Sequence, residues 1–306
     1  MRGVGGKMSV RKKKYKKYRK RRKNSTQVVF REFQKDRLAV FSLFFLLFII
    51  AFVFIASLFI DQEALMRINL YDRYSAPGEK YLLGADQGGK DILGQLIIGA
   101  RNSILIALAI TVITGFIGIV VGLICGYFGG WVDYIIMRFI DFFVTIPSLM
   151  LIIVFVTLVP KYNVTTFVLI MSLFLWTGTA RLVRSKALSE SKREYVSASK
   201  TLGTSNLTIM RREVAPNLSS LLIVELTLNF AGNVGIETGL SYLGFGLPPS
   251  TPSLGTLVSY ANNPAVLQQY WWVWLPASLF ILFMMLSINY IGQALRRSAD
   301  VKQRLG

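Results

Sequence analysis

Residues 84–90, GADQGGK, fit the G-x-x-x-x-G-K core of a phosphate-binding loop, in which backbone N–H groups and a lysine cradle phosphate oxygens. The next position should carry a Ser or Thr as magnesium ligand. Here it is Asp91, whose charge would repel a phosphate, and no strand leads into the loop. Turn glycines are the better reading. With no histidine and a single cysteine, Cys125, the sequence offers no His-containing metal set, no histidine general base and no intrachain disulfide, which disfavours most hydrolase chemistry. Cys125 reads as a small buried apolar residue rather than a reactive thiol.

Glu225, Asn229, Asn233 and Glu237 recur every four residues, giving a slowly drifting polar stripe about 18 Å long on one helix. Such a stripe should not face lipid. It lines a water-filled path or bonds to neighbouring helices, and the sequence leaves both open. Arg138 and Asp141, three residues apart, are expected to neutralise each other, the alternative being contact with a gating element or substrate. Gly115, Gly118, Gly122 and Gly126 include two consecutive G-x-x-x-G spacings, a signal for close helix packing rather than catalysis.

The elements that must position these groups are apolar helices. Of 306 residues 53% are hydrophobic, above the usual share for a soluble domain. The excess is clustered in residues 38–60, 103–126, 135–159, 162–180, 216–240 and 271–291, each long enough to cross roughly 30 Å of hydrocarbon. The expected fold is therefore all-α and integral to the membrane, with six transmembrane helices. Residues 1–37 form a basic tail, 38–60 the first helix, 61–101 an external segment, 102–295 a five-helix core and 296–306 a C-terminal tail. Trp271, Trp272 and Trp274 suit an aromatic belt. No small-residue cleavage site follows the first helix, which is expected to stay as an anchor rather than leave as a signal peptide.

The net charge of +19 is concentrated: residues 1–37 carry 16 Lys/Arg against Glu32 and Asp36. Such a run before an apolar helix reads as a cytoplasmic tail drawn to anionic lipid. Nucleic-acid binding is disfavoured, since no aromatic platform or recognition module accompanies it. With the N-terminus inside and six crossings, the basic loop 181–213 and the C-terminus also fall inside, so three basic blocks share one side.

That loop contains REYVSASKTLG, a helix-forming run that Gly203 should stop, followed by Ile209 and Pro216. It reads as a rigid handle on which a soluble partner could push, or as a helix lying on the lipid surface. On Glu194, Ala198, Gly203, Ile209 and Pro216 the segment resembles the cytoplasmic loop of bacterial ABC importer permeases. EYVSASKTLG is similar to the EYV-x-A-A-x-x-L-G of the peptide and nickel branch, with Ser199 in place of the second alanine. LLGADQGGKDILGQLIIGARNS and GLSYLGFGLPPSTPSLG resemble two further phrases of that branch, departing at Ala85, Lys90, Gly94, Gln95 and Leu254.

The resemblance implies the type I ABC importer permease fold and no enzymatic activity in this chain. It also implies a second homologous permease subunit, two cytoplasmic ATPase subunits that hold ATP and magnesium, and an extracellular or periplasmic substrate-binding protein. This chain would bind no cofactor or metal of its own. Glu194, Tyr195, Ala198, Ser199, Leu202 and Gly203 would couple to the ATPases, with an oligopeptide or dipeptide as substrate and a bacterial cell membrane as location. Nickel, a metal chelate or another small solute is the alternative substrate. From another class, the basic tail and polar stripe allow a membrane insertase or scaffold.

Overall fold

The computed structural model describes residues 31–159, 163–248 and 251–305. Most of the basic tail, and residues 160–162, where the fourth apolar run is expected to begin, lie outside the described residues. Asp36 accepts a hydrogen bond from the Ala39 N–H at 3.2 Å and so caps α1, Arg37–Ser57. The same carboxylate meets Arg297 at 2.7 Å, while Phe33 packs with Ala39 against Ile291 and Ala294. The start of α1 is thereby fastened to the end of the last helix. Phe44 and Phe48 remain 68% exposed, as a lipid-facing helix requires.

After the short α2, Gln62–Leu65, residues 66–91 fold into a cap. Asp72 accepts from Asn69, Lys80 and Tyr81, and the Lys80 bond holds its carboxyl below the usual range. In the 84–90 turn the buried Asp86 accepts from the N–H groups of Gly88 and Lys90 at 2.7 and 3.0 Å and from the Gln95 amide at 3.0 Å. The turn closes on its own carboxylate, which occupies the place a phosphate would need. Tyr260 donates to the same carboxylate at 3.3 Å, and burial pushes its phenol up. A side chain at Gly89 would meet the Asn69 carbonyl at 1.9 Å, so the turn demands glycine there for space. Asp91 then caps α3, Ile92–Phe128, by accepting from Leu93 and Gly94.

The helix α3 has 37 residues, extending well before the expected residue 103. It is followed by α4, Gly130–Val144, and α5, Ser148–Leu158. The sequence predicts one span over 135–159, and the structure builds it from two helices that meet at a 75° bend. Pro147 is the cause, because its ring and missing N–H do not allow a helix to run through. Next comes α6, Val164–Ser191, which continues past the expected end at Ala180 and shortens the following loop. Positions that meet across α3 and α6 advance together: Gly118 lies against Thr179, Gly122 against Val183 and Gly126 against Ala187. The two helices are therefore parallel, and α4 with α5 must return the chain across the layer as one crossing.

A short helix α7, Glu194–Thr201, leads to α8, Asn206–Tyr242. The latter contains a π-helical turn at Met210–Val214. Pro216 cannot donate to the Arg212 carbonyl, and the widened turn takes up the mismatch. After α9, Leu254–Ser259, and α10, Pro264–Gln269, the chain ends in α11, Trp271–Leu305. Trp272 and Trp274 are partly buried against the main core cluster, Trp272 also reaches the Ala85 carbonyl at 3.4 Å, and Trp271 is exposed. Among the described residues five helices are long and apolar enough to cross a membrane, and the bent pair, taken as one span, makes six.

Candidate functional site

The α7 handle is held by side chains from both flanking helices. The Tyr195 hydroxyl donates to Glu190 of α6 at 2.7 Å, and the Asn217 amide of α8 donates to Tyr195 at 2.8 Å and to Glu190 at 3.2 Å. Ser199 lies 2.8 Å from both carboxylate oxygens of Glu213 in the π-helical turn. Val196 is buried against Val183, Ala187, Ile209, Met210 and Val214. The Tyr127 hydroxyl, at the end of α3, donates to Asn206 at 2.9 Å, and Lys200 lies over the Tyr127 ring at 4.7 Å.

The six loop residues singled out in the sequence therefore divide into two sets. Tyr195 and Ser199 turn inward and fasten the handle. Glu194, Ala198, Leu202 and Gly203 face out, with Leu202 77% exposed and Leu207 beside the loop 73% exposed. The handle ends in a Schellman arrangement, in which the Gly203 N–H bonds the Lys200 carbonyl at 2.9 Å and the Thr204 N–H bonds the Ser199 carbonyl at 3.1 Å. Gly203 has φ +75, as that arrangement requires. Glu190, Glu213 and Asn217 were not among the sequence candidates. Their signal was present only as acids set within a basic loop and an amide one residue beyond Pro216.

The α8 stripe is divided among neighbours. Asn229 donates to Thr179 of α6 at 2.9 Å and to Glu225 at 3.4 Å, and Asn233 donates to Thr111 of α3 at 2.8 Å. Glu237 is wholly buried and accepts from Ser103 of α3 and from Ser241, both at 3.1 Å. Ser103 in turn accepts from the Leu254 N–H at 3.0 Å, tying α9 to the same point. Glu225 is half-buried. Glu237→Leu should lower the melting temperature of the purified protein by several degrees, since each stranded buried hydroxyl costs roughly 1–3 kcal/mol. Glu237→Gln keeps a hydrogen-bonding group and should melt close to wild type. Equal melting of the leucine variant and wild type would refute the tie.

Arg138 and Asp141 do not neutralise each other. Asp141 bonds Arg181 of α6 at 2.5 Å, and Arg184 grips Asp133 through two nitrogens. The guanidinium of Arg138 lies instead over the Tyr134 ring, 5.3 Å from its centre. The antiparallel approach of α6 brings Arg181 to the acid, and among the described residues Arg138 forms no ion pair.

A bundle of membrane-crossing helices, with a rigid handle projecting from one end and polar groups between the helices, defines an integral membrane permease. Residues 118–304 match the family described as binding-protein-dependent transport system inner membrane component. Residues 25–77 match the N-terminal transmembrane domain of oligopeptide transport permease C. The chain is 51% identical over 273 residues to the oligopeptide transport system permease protein OppC of Lactococcus lactis, covering 89% of this chain and 93% of the relative. It is 36% identical over 281 residues to the OppC protein of Mycobacterium tuberculosis, covering 90% and 94%. It is 31% identical over 281 residues to the dipeptide transport system permease protein DppC of Bacillus subtilis, covering 91% and 86%. The chain belongs to the binding-protein-dependent transport system inner membrane components: it is a multi-pass permease subunit of an ABC importer, and ATP hydrolysis lies in a separate subunit.

Proposed function

We propose that this chain forms half of the membrane pathway of an ATP-driven oligopeptide or dipeptide importer in a bacterial cell membrane. The substrate class rests on the names of its relatives. Both termini and the α7 handle face the cytoplasm, and the cap of residues 66–91 faces out. The bond between Asp36 and Arg297 supports a common side for the two ends, and the positive-inside rule favours the cytoplasm for it. A second homologous permease completes the pathway, two cytoplasmic ATPase subunits hold ATP and magnesium, and a substrate-binding protein delivers peptide from outside.

The observation that carries this reading is the handle. Its outer face presents Glu194, Ala198, Leu202 and Gly203 to an ATPase, while Tyr195 and Ser199 link it to α6 and α8 through Glu190, Asn217 and Glu213. Closure of the ATPases moves the handle, and those bonds pass the motion to two spans as a largely rigid-body displacement. Peptide crosses without covalent change. Purification of the tagged chain from native membranes in mild detergent should bring down ATPase subunits and a second six-span protein, and deletion should stop growth on peptides as amino-acid source. Copurification of ribosomal proteins without an ATPase would overturn the importer assembly, and uptake of nickel rather than peptide would overturn the substrate.

A further inference from the structure

The helix α4 carries three distinct faces. Ile140 is buried, and Asp133 turns to Arg184 of α6. Trp131, Ile135, Phe139 and Phe142 follow at spacings of four, four and three, all exposed and apolar. Tyr134, Arg138 and Asp141, also at spacings of four and three, form a third face that is exposed and polar. Tyr134, Met137, Arg138 and Asp141 line an open cleft with Arg184. Asp141 lies eleven residues into its helix and Arg181 ten residues before the end of α6, so their ion pair sits about 15 Å from the handle end of each.

Exposed charged side chains on a helix of the bent crossing are costly against hydrocarbon and belong on water or protein. The apolar face of α4 satisfies lipid, and the polar face cannot. The α8 stripe, by contrast, has most of its bonding groups turned to neighbours within the chain. We propose that the Tyr134, Arg138 and Asp141 face of α4, with Arg181 of α6, lines the cytoplasmic half of the peptide path. Arg138 presents its guanidinium to the carboxylates of the leaving peptide. The pair of Asp141 and Arg181 keeps the remaining charge of this wall balanced, so that Arg138 is the group with attraction to spare.

This proposal rests on the importer reading and is tested apart from it. In a Cys125→Ala background, Tyr134→Cys and Arg138→Cys are compared with Ile135→Cys and Phe139→Cys in the assembled importer. Inside-out vesicles are treated with a charged, membrane-impermeant methanethiosulfonate. The polar-face thiols should react at least about tenfold faster, because a lipid-facing thiol forms little thiolate and is out of the reagent's reach. Slow reaction at all four would mean that a partner subunit covers the face, and fast reaction at all four would mean that α4 does not meet lipid. Either overturns the proposal. In cells, Arg138→Gln should lower uptake of an acidic peptide roughly two- to fivefold relative to a basic one, with Arg138→Lys restoring the ratio. An equal fall for both peptides would remove the carboxylate role, while uptake of neither by the wild type would count against the peptide reading alone.

Discussion

Gly122→Val should leave less than about a tenth of the wild-type amount of folded chain in the membrane. A Cβ at this position would lie 2.6 Å from the Ala180 carbonyl oxygen, 2.7 Å from the Val183 Cβ and 2.9 Å from the Arg184 nitrogen. Two of the three are backbone atoms of a neighbouring helix, so no side-chain rotation relieves the contact. Overpacking costs about 1–3 kcal/mol even where a core yields, and 1.4 kcal/mol is already a factor of ten. Here α3 and α6 would have to separate along their length, since Gly118 and Gly126 meet the same partner at 2.6–2.9 Å. Close packing is also what drives helices together in lipid, where burial of apolar surface gives no net gain. Gly178→Ala provides the control, because nothing lies within 4 Å of its added carbon. Monodisperse protein recovered after solubilisation measures the outcome, and wild-type recovery of Gly122→Val would refute the role assigned to the α3–α6 contact.

The features most legible in the sequence were those set by composition over long windows. Span-length apolar runs give the number of crossings, and the G-x-x-x-G spacing gives the face of α3 that meets α6. Legibility failed where a single residue or a distant partner decides the geometry. Pro147 breaks the third crossing within an otherwise apolar run, and hydropathy averages over such a break. Asp141 is three residues from Arg138, yet Arg181, forty residues on, is its partner, because packing of α4 on α6 is a tertiary fact. The same limit applies to Glu237, whose period of four with Asn233 is plain in the sequence while its serine donors come partly from another helix.

The handle combines both cases. Its helical run and glycine stop are local and were readable, whereas the division of its residues into an inward and an outward set depends on where α6 ends and α8 begins. The run of α6 to Ser191 brings Glu190 under Tyr195, and the π-helical turn brings Glu213 under Ser199. The Ser199 that departs from the family's alanine thus gains a partner that an alanine could not have. Motion at the outer face then has two hydrogen-bonded routes into separate spans, which a handle held by apolar contact alone would lack.

Gly203→Val should cut peptide uptake by at least about tenfold while leaving the amount of folded chain in the membrane close to normal. At φ +75 a side chain with a Cβ costs roughly 1–2 kcal/mol, and a β-branched one is more strongly excluded. The chain would escape by unwinding the last turn of α7, breaking the bonds from Gly203 to Lys200 and from Thr204 to Ser199. Leu202 would then leave its exposed place on the outer face, the one proposed to meet an ATPase, and Ser199 would lose the helical frame that points it at Glu213. The spans themselves have no stake in this turn, since nothing lies within 4 Å of the added carbon. Gly203→Asn separates conformation from crowding, because asparagine tolerates the left-handed region. If the asparagine variant transports and the valine variant does not, backbone geometry sets the coupling. If both fail while the handle remains helical, the added side chain obstructs a partner that approaches the glycine closely. Normal coupled uptake by Gly203→Val would remove the handle's end from the mechanism.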